Sequence, residues 1–134
     1  MIRTLAIGLL ALGTAAAAHG PENLAASELE WVEIIPGVDF APAFGDWAKE
    51  GHGKFVRLAP GASVPMHTHS GSYEGVFVSG EMVNILDGGT RVAVGPGHYF
   101  QMAGGRLHGH ECVSEVPCFF YTHSPAAWDI QVPE

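Results

Sequence analysis

From residue 30 onward the chain divides into short apolar-rich runs, some alternating in part between apolar and polar residues, and no stretch holds a helical apolar period beyond a single turn. Runs at 30–35, 54–58, 64–69, 73–79, 82–86, 90–94, 98–102, 107–112, 118–123 and 128–132 are rich in β-branched and aromatic residues and read as strands. Turn signals separate them: Pro36-Gly37, Pro60-Gly61, Gly80-Glu81, Asp87-Gly88-Gly89, Gly95-Pro96-Gly97 and Ala103-Gly104-Gly105. Segment 38–44, interrupted by Pro42, and the glycine-rich segment 45–53 carry no regular pattern, although the second has room for one helical turn. About ten short strands, with 18 Gly and 9 Pro to turn them, define an all-β chain folded as a sandwich or a barrel.

The amino terminus breaks this pattern. Arg3 gives a cationic start, Leu5 to Leu12 an apolar run, and Ala15 to Ala18 a small-residue cleavage context, which together describe a signal peptide over residues 1–18. Gly13 and Thr14 shorten the run below what a membrane anchor needs. The mature chain, 19–134, is then one domain, exported to the periplasm or secreted, with no membrane association once the leader is removed. A formal net charge of −8 makes phosphate backbones and anionic membranes poor partners, so nucleic acid is not expected.

Export also bears on the cysteines. Cys112 and Cys118 are the only two, and an oxidising compartment favours a disulfide between them. So short a loop stabilises by only about 2 kcal/mol. A thiolate metal pair would want CxxC spacing, which is absent.

His67 and His69 flank one residue, so on an extended segment both rings project from one face, at the spacing a single metal ion needs. His108 follows a second glycine-punctuated run that could return beside them. Taken singly each histidine is an ordinary hydrogen-bonded residue; jointly they are a metal site. His110 shares the face of His108, pointing inward as an acid/base or sitting at the mouth. His19, if exposed by cleavage, would offer an amine and an imidazole to copper.

These segments resemble the paired motifs of the cupin superfamily. Gly61 precedes His67 by five residues, His69 follows, and Glu74 comes after four more; Gly97, Gly105 and His108 match the second motif, with Ala103 and Cys112 where that motif has proline and asparagine. The resemblance covers roughly 54–123, and the closing Cys-Phe-Phe-Tyr segment is similar to that of small secreted single-domain cupins of unassigned function. It implies a conical β-barrel, a double-stranded antiparallel jelly roll, holding one divalent metal ion (Fe, Mn, Ni or Zn). Cupins of this size commonly pair as homodimers.

The implied ligands are His67, His69, Glu74 and His108. Counting from His69 selects Glu74; counting back from Gly80 selects Tyr73, and without a bulge only one of these neighbours can face inward. Glu74 is the expected ligand, because it shares a face with Val76 and Val78 and a carboxylate suits a divalent cation. Glu74 and His110 are the candidate bases, and Tyr73, Phe77 and Gln101 the candidate pocket residues. Arg57 and Arg91 are either anchors for an anion or exposed strand arginines. The reading is a metalloenzyme acting on a small oxygen-rich molecule, dioxygenase-like or a metal-assisted isomerase or lyase. A non-catalytic metal-binding or small-ligand module is its alternative.

Overall fold

The structure, a computed structural model, describes residues 23–134; the leader expected over 1–18 and His19 lie outside the described residues. The strands are β1 (Val32–Ile35), β2 (Val38–Phe44), β3 (His52–Leu58), β4 (Ser63–His67), β5 (Tyr73–Ser79), β6 (Met82–Leu86), β7 (Arg91–Val94), β8 (Tyr99–Met102), β9 (His108–Cys112) and β10 (Cys118–Ser124). All pair antiparallel. They form a six-stranded sheet, β1-β2-β3-β10-β5-β8, and a four-stranded sheet, β4-β9-β6-β7. The all-β jelly roll is as the sequence implies, but the hydrogen-bond ladders stay in two facing sheets and do not close into a continuous barrel.

Two segments differ from the sequence pattern. Residues 38–44 form one strand despite Pro42, with a register shift against β3 between Pro42 and Phe44, because β1 pairs with β2 only as far as Phe40 and leaves Pro42 on a free edge, where its missing N–H costs nothing. Residues 128–132 make no strand; a single bridge ties Gln131 to Thr68. In segment 45–53 one turn closes through the Glu50 N–H to Asp46 carbonyl bond, and His52 already belongs to β3.

The core lies between the sheets and is built from alternate residues of each strand. Val38 and Phe40 of β2, Val56 and Leu58 of β3, and Phe120 of β10 meet Met82 of β6. Each such side chain contributes on the order of 1.5–3 kcal/mol by burial. Cys112 and Cys118 form the expected disulfide, tying the end of β9 in one sheet to the start of β10 in the other. Gly80 turns β5 into β6 at φ 83°, where a Cβ would lie 2.7 Å from the Pro117 carbonyl oxygen, so no other residue fits without strain.

Strand β5 decides what faces inward, and it does so against the sequence expectation. Phe77 is 1% exposed and stacks on Phe120, while Val76 and Val78 are about half exposed on the outer face. The reason is comparative. Facing Tyr73 and Phe77 inward buries two aromatic rings, whereas the opposite parity would bury two valines and drive the Glu74 carboxylate out of water. The ladder to β10 slips at Val78, with Phe119 opposite Ser79 and Phe120 opposite Phe77, which accommodates the odd spacing between Glu74 and Gly80.

Candidate metal centre

The four-stranded sheet presents three imidazoles to the interior. His67, at the end of β4, stands directly opposite His108 on β9, and His110 follows two residues on, on the same face. Ring nitrogens of His67, His108 and His110 lie within 4.8 Å of one another. His69 comes from the loop after β4, and its Nε2 is 3.0 Å from that of His67. All four rings are buried.

Their orientation is fixed from behind. The Nδ1 of His67 donates to the Pro65 carbonyl at 2.7 Å, and that of His108 to the Arg106 carbonyl at 2.8 Å. His69 Nδ1 donates to the Asp129 carbonyl, and His110 Nδ1 to Asn84 Oδ1 at 2.8 Å. Asn84 is the cross-strand neighbour of His110, so the sheet register itself supplies that acceptor. With every Nδ1 committed as a donor, the Nε2 atoms of His67, His108 and His110 are lone pairs gathered in one space, with that of His69 beside His67, which is the arrangement that sets up imidazoles for metal binding.

Burial reinforces this. Desolvation lowers the pKa of all four rings, that of His108 to about 4 and that of His110 well below the usual value, so they remain neutral acceptors. The 3.0 Å separation of the His67 and His69 nitrogens is also the distance between two cis ligands each about 2.1 Å from one ion. The donor set thus suits a divalent metal ion and suggests one.

Tyr73, on the opposing sheet, closes the group. Its Oη lies 3.2 Å from His108 Nε2 and 3.4 Å from His110 Nε2, one proton facing two acceptors. Burial pushes the phenol pKa up, so the hydroxyl keeps its proton.

Glu74 does not belong to this group, contrary to the sequence expectation. It points outward, accepting from Tyr99 Oη at 2.9 Å and sitting 3.3 Å from His123 Nδ1. Strand alternation forces this once Tyr73 faces inward. Gln101, opposite Glu74 in the β5–β8 ladder, is exposed for the same reason, and Phe77 packs in the core instead of lining the pocket. Arg57 and Arg91 also lie on outer faces, paired with Asp39 and Glu111. Of the expected site residues the structure gathers His67, His69, His108, His110 and Tyr73.

His67, His69 and His110 stand at one side of a cavity of about 90 Å³ between the sheets. Its walls are chiefly Val, Ile, Leu, Phe120, Phe40 and Trp128, with Lys54 and Thr122 among the few polar members. Trp128 packs on His69 and on Phe40, so the carboxy-terminal segment forms part of the wall. Lys54, Trp128 and Asn84 were missed in the sequence. A signal for Lys54 existed, since it shares strand parity with Val56 and Leu58 and therefore faces inward with them.

Residues 54–124 match the family profile described as "Cupin domain", and the chain belongs to the cupin family. Solved structures agree on the fold. The polyketide cyclase RemF from Streptomyces resistomycificus matches at a TM-score of 0.71 and 21% identity, covering 83% of this chain and 84% of that one. KdgF from Halomonas sp. matches at 0.63 and 20%, over 75% of this chain and 90% of that one. A predicted oxalate decarboxylase from Thermotoga maritima matches at 0.63 and 24%, over 78% and 98%. No curated protein matches the sequence.

Proposed function

We propose that this chain is an exported metal-dependent enzyme that binds a small oxygen-rich molecule at the imidazole quartet and assists proton movement beside a carbonyl, as an isomerase, lyase or cyclase does. The observation that carries the reading is the convergence of the His67, His108 and His110 ring nitrogens, with His69 beside His67, each ring oriented through its Nδ1 proton, next to an apolar cavity. A divalent ion held there would supply Lewis-acid polarisation of the substrate oxygen.

The chain's own residues supply the rest. The imidazoles are neutral and no carboxylate joins them, so the donor set leaves the ion's charge undiminished, which suits an oxyanion more than a neutral ligand. Tyr73 keeps its proton at a point within hydrogen-bond reach of the imidazole nitrogens and can donate to an oxygen seated among them. Trp128, Phe40 and Phe120 give that space apolar walls. The similarity to proteins named as a polyketide cyclase and a predicted oxalate decarboxylase supports a small oxygen-rich substrate. Dioxygenase chemistry would need a redox-active ion at the same donors, and metal identity separates it from the isomerase or lyase reading.

A binding module is the second reading, and one observation favours it. Among the described residues no carboxylate lines the cavity, so no strong base faces the quartet. Metal analysis of protein recovered from the periplasm, followed by a screen of 1,3-diketones and hydroxyketones, decides between them. Turnover that needs the metal and disappears in His108→Ala supports the enzyme. Tight binding without turnover across the panel puts the module first, and a protein that holds no metal after reconstitution removes the metal-dependent enzyme and leaves only a metal-free small-ligand module. Mass measurement of the mature chain tests cleavage after Ala18.

A further inference from the structure

Among the described residues Lys54 is the one cation in the cavity wall, and nothing in the imidazoles' chemistry uses it. Its side chain is 3% exposed. The Nζ donates to His52 Nε2 at 3.0 Å, and His52 is a neutral acceptor there because its own Nδ1 gives its proton to the Glu50 carbonyl. Otherwise the ammonium lies 5.0 Å from the centroid of Phe40 and 5.4 Å from that of Trp128. No carboxylate lies within ion-pair distance of it among the described residues, where Lys49, Arg57 and Arg91 each have one.

A buried ammonium without a counter-ion is costly, and two aromatic faces offset only part of that cost. Its effect shows in the amine itself, whose pKa burial pushes down to about 7. The protein could have placed a methionine or leucine here at no such penalty, since Val56 and Leu58 occupy the same face of β3. A charge kept in an apolar cavity that also holds the metal-type donors is arranged for a ligand that brings the opposite charge.

We propose that Lys54 anchors a carboxylate of the ligand, so that the cavity takes a small molecule with an oxygen donor for the quartet, an apolar body and one carboxylate. The inference deepens the metal-dependent reading by naming the substrate class, and rests on that reading only for the oxygen donor. A phosphate is disfavoured because a single ammonium among hydrophobic walls cannot balance a dianion. Thr122, directly opposite Lys54 in the β3–β10 ladder, lines the same wall and donates its hydroxyl to the Lys54 main-chain carbonyl at 3.4 Å, tying the anchor's backbone to β10.

The test uses hexanoate and hexanamide, which have the same shape and differ in charge, titrated calorimetrically into metal-free and zinc-loaded protein. In the metal-free form, where no ion competes for the carboxylate, hexanoate should bind about tenfold more tightly than hexanamide, and Lys54→Met should reduce the preference to about twofold or less. Equal binding of acid and amide by the unaltered metal-free protein, or a preference that survives Lys54→Met in that form, overturns the proposal. Should Lys54→Met fail to fold, the Lys54 ¹⁵Nζ resonance of the unaltered protein decides, moving with hexanoate and not with hexanamide if the anchor is real. The metal-free arm separates the two readings. Acid preference in a protein that binds no zinc leaves Lys54 standing and removes the metal centre, whereas zinc binding without acid preference does the reverse.

Discussion

The Nε2 atoms of His67 and His69 stand 3.0 Å apart although each ring has already given its Nδ1 proton to a main-chain carbonyl. With both Nδ1 protons committed, the two Nε2 atoms are spaced to share one cation. Zinc or nickel should therefore bind at one equivalent per chain and raise the melting temperature by about 10 °C at saturating concentration. Calorimetry with and without a chelator measures this, and His67→Ala should erase the difference.

Tyr73 and Glu74 give opposite outcomes. Tyr73→Phe removes the hydroxyl that faces His108 and His110 and should lower turnover about 100-fold while leaving metal content unchanged. Glu74→Gln alters an outer-face carboxylate and should shift stability by less than about 0.5 kcal/mol, with full metal content. Loss of metal in Glu74→Gln would show that the carboxylate reaches the site.

Acid should destabilise the metal-free protein. In the unfolded chain the imidazoles titrate near 6.5, whereas burial lowers the pKa of all four in the fold, that of His108 to about 4. Between those values the unfolded state binds more protons, so stability is full above the unfolded pKa and declines as the pH falls through it. Urea midpoints taken from about pH 7 to pH 5 should fall, and more steeply for the metal-free protein than for His110→Ala.

Reduction of the Cys112–Cys118 bond removes a small-loop constraint worth about 2 kcal/mol. Because Cys112 ends the strand that carries His108 and His110, the loss should also weaken metal binding. Urea melts and metal titrations with and without reductant measure both effects. A metal affinity that is indifferent to reduction would confine the bond to fold stability.

Asn84 holds His110 through a side chain, the one such support among the four. Asn84→Ala should weaken metal binding by about 10- to 100-fold without unfolding the protein. Competition against a chromogenic chelator reads the change.

Much of this was legible in the sequence because the informative signals are short-range. The His-x-His spacing fixes one face of an extended segment, and glycine punctuation fixes where β9 returns, so His67, His69 and His108 could be placed together without coordinates. Tyr73 and Glu74 could not be ordered this way. Their parity depends on the slipped ladder at Val78 and on which face buries more aromatic surface, both properties of strand pairing across the sheet. The strand at 38–44 was hidden by Pro42, whose tolerance there depends on where β1 stops. The segment at 128–132 alternates like a strand but packs as a wall, with Trp128 against His69. Lys54 was visible in parity alone, and only its missing counter-ion gave it meaning.

Three of the four acceptors that hold the imidazoles are main-chain carbonyls, at Pro65, Arg106 and Asp129. Substitution at those positions leaves the carbonyl in place, so the affinity of the quartet is insulated from most point mutation and can drift little over evolutionary time. Asn84 is the exception, and exchange for aspartate there would raise the basicity of His110 through a single codon change. Tuning of this centre, by selection or by design, begins at that residue.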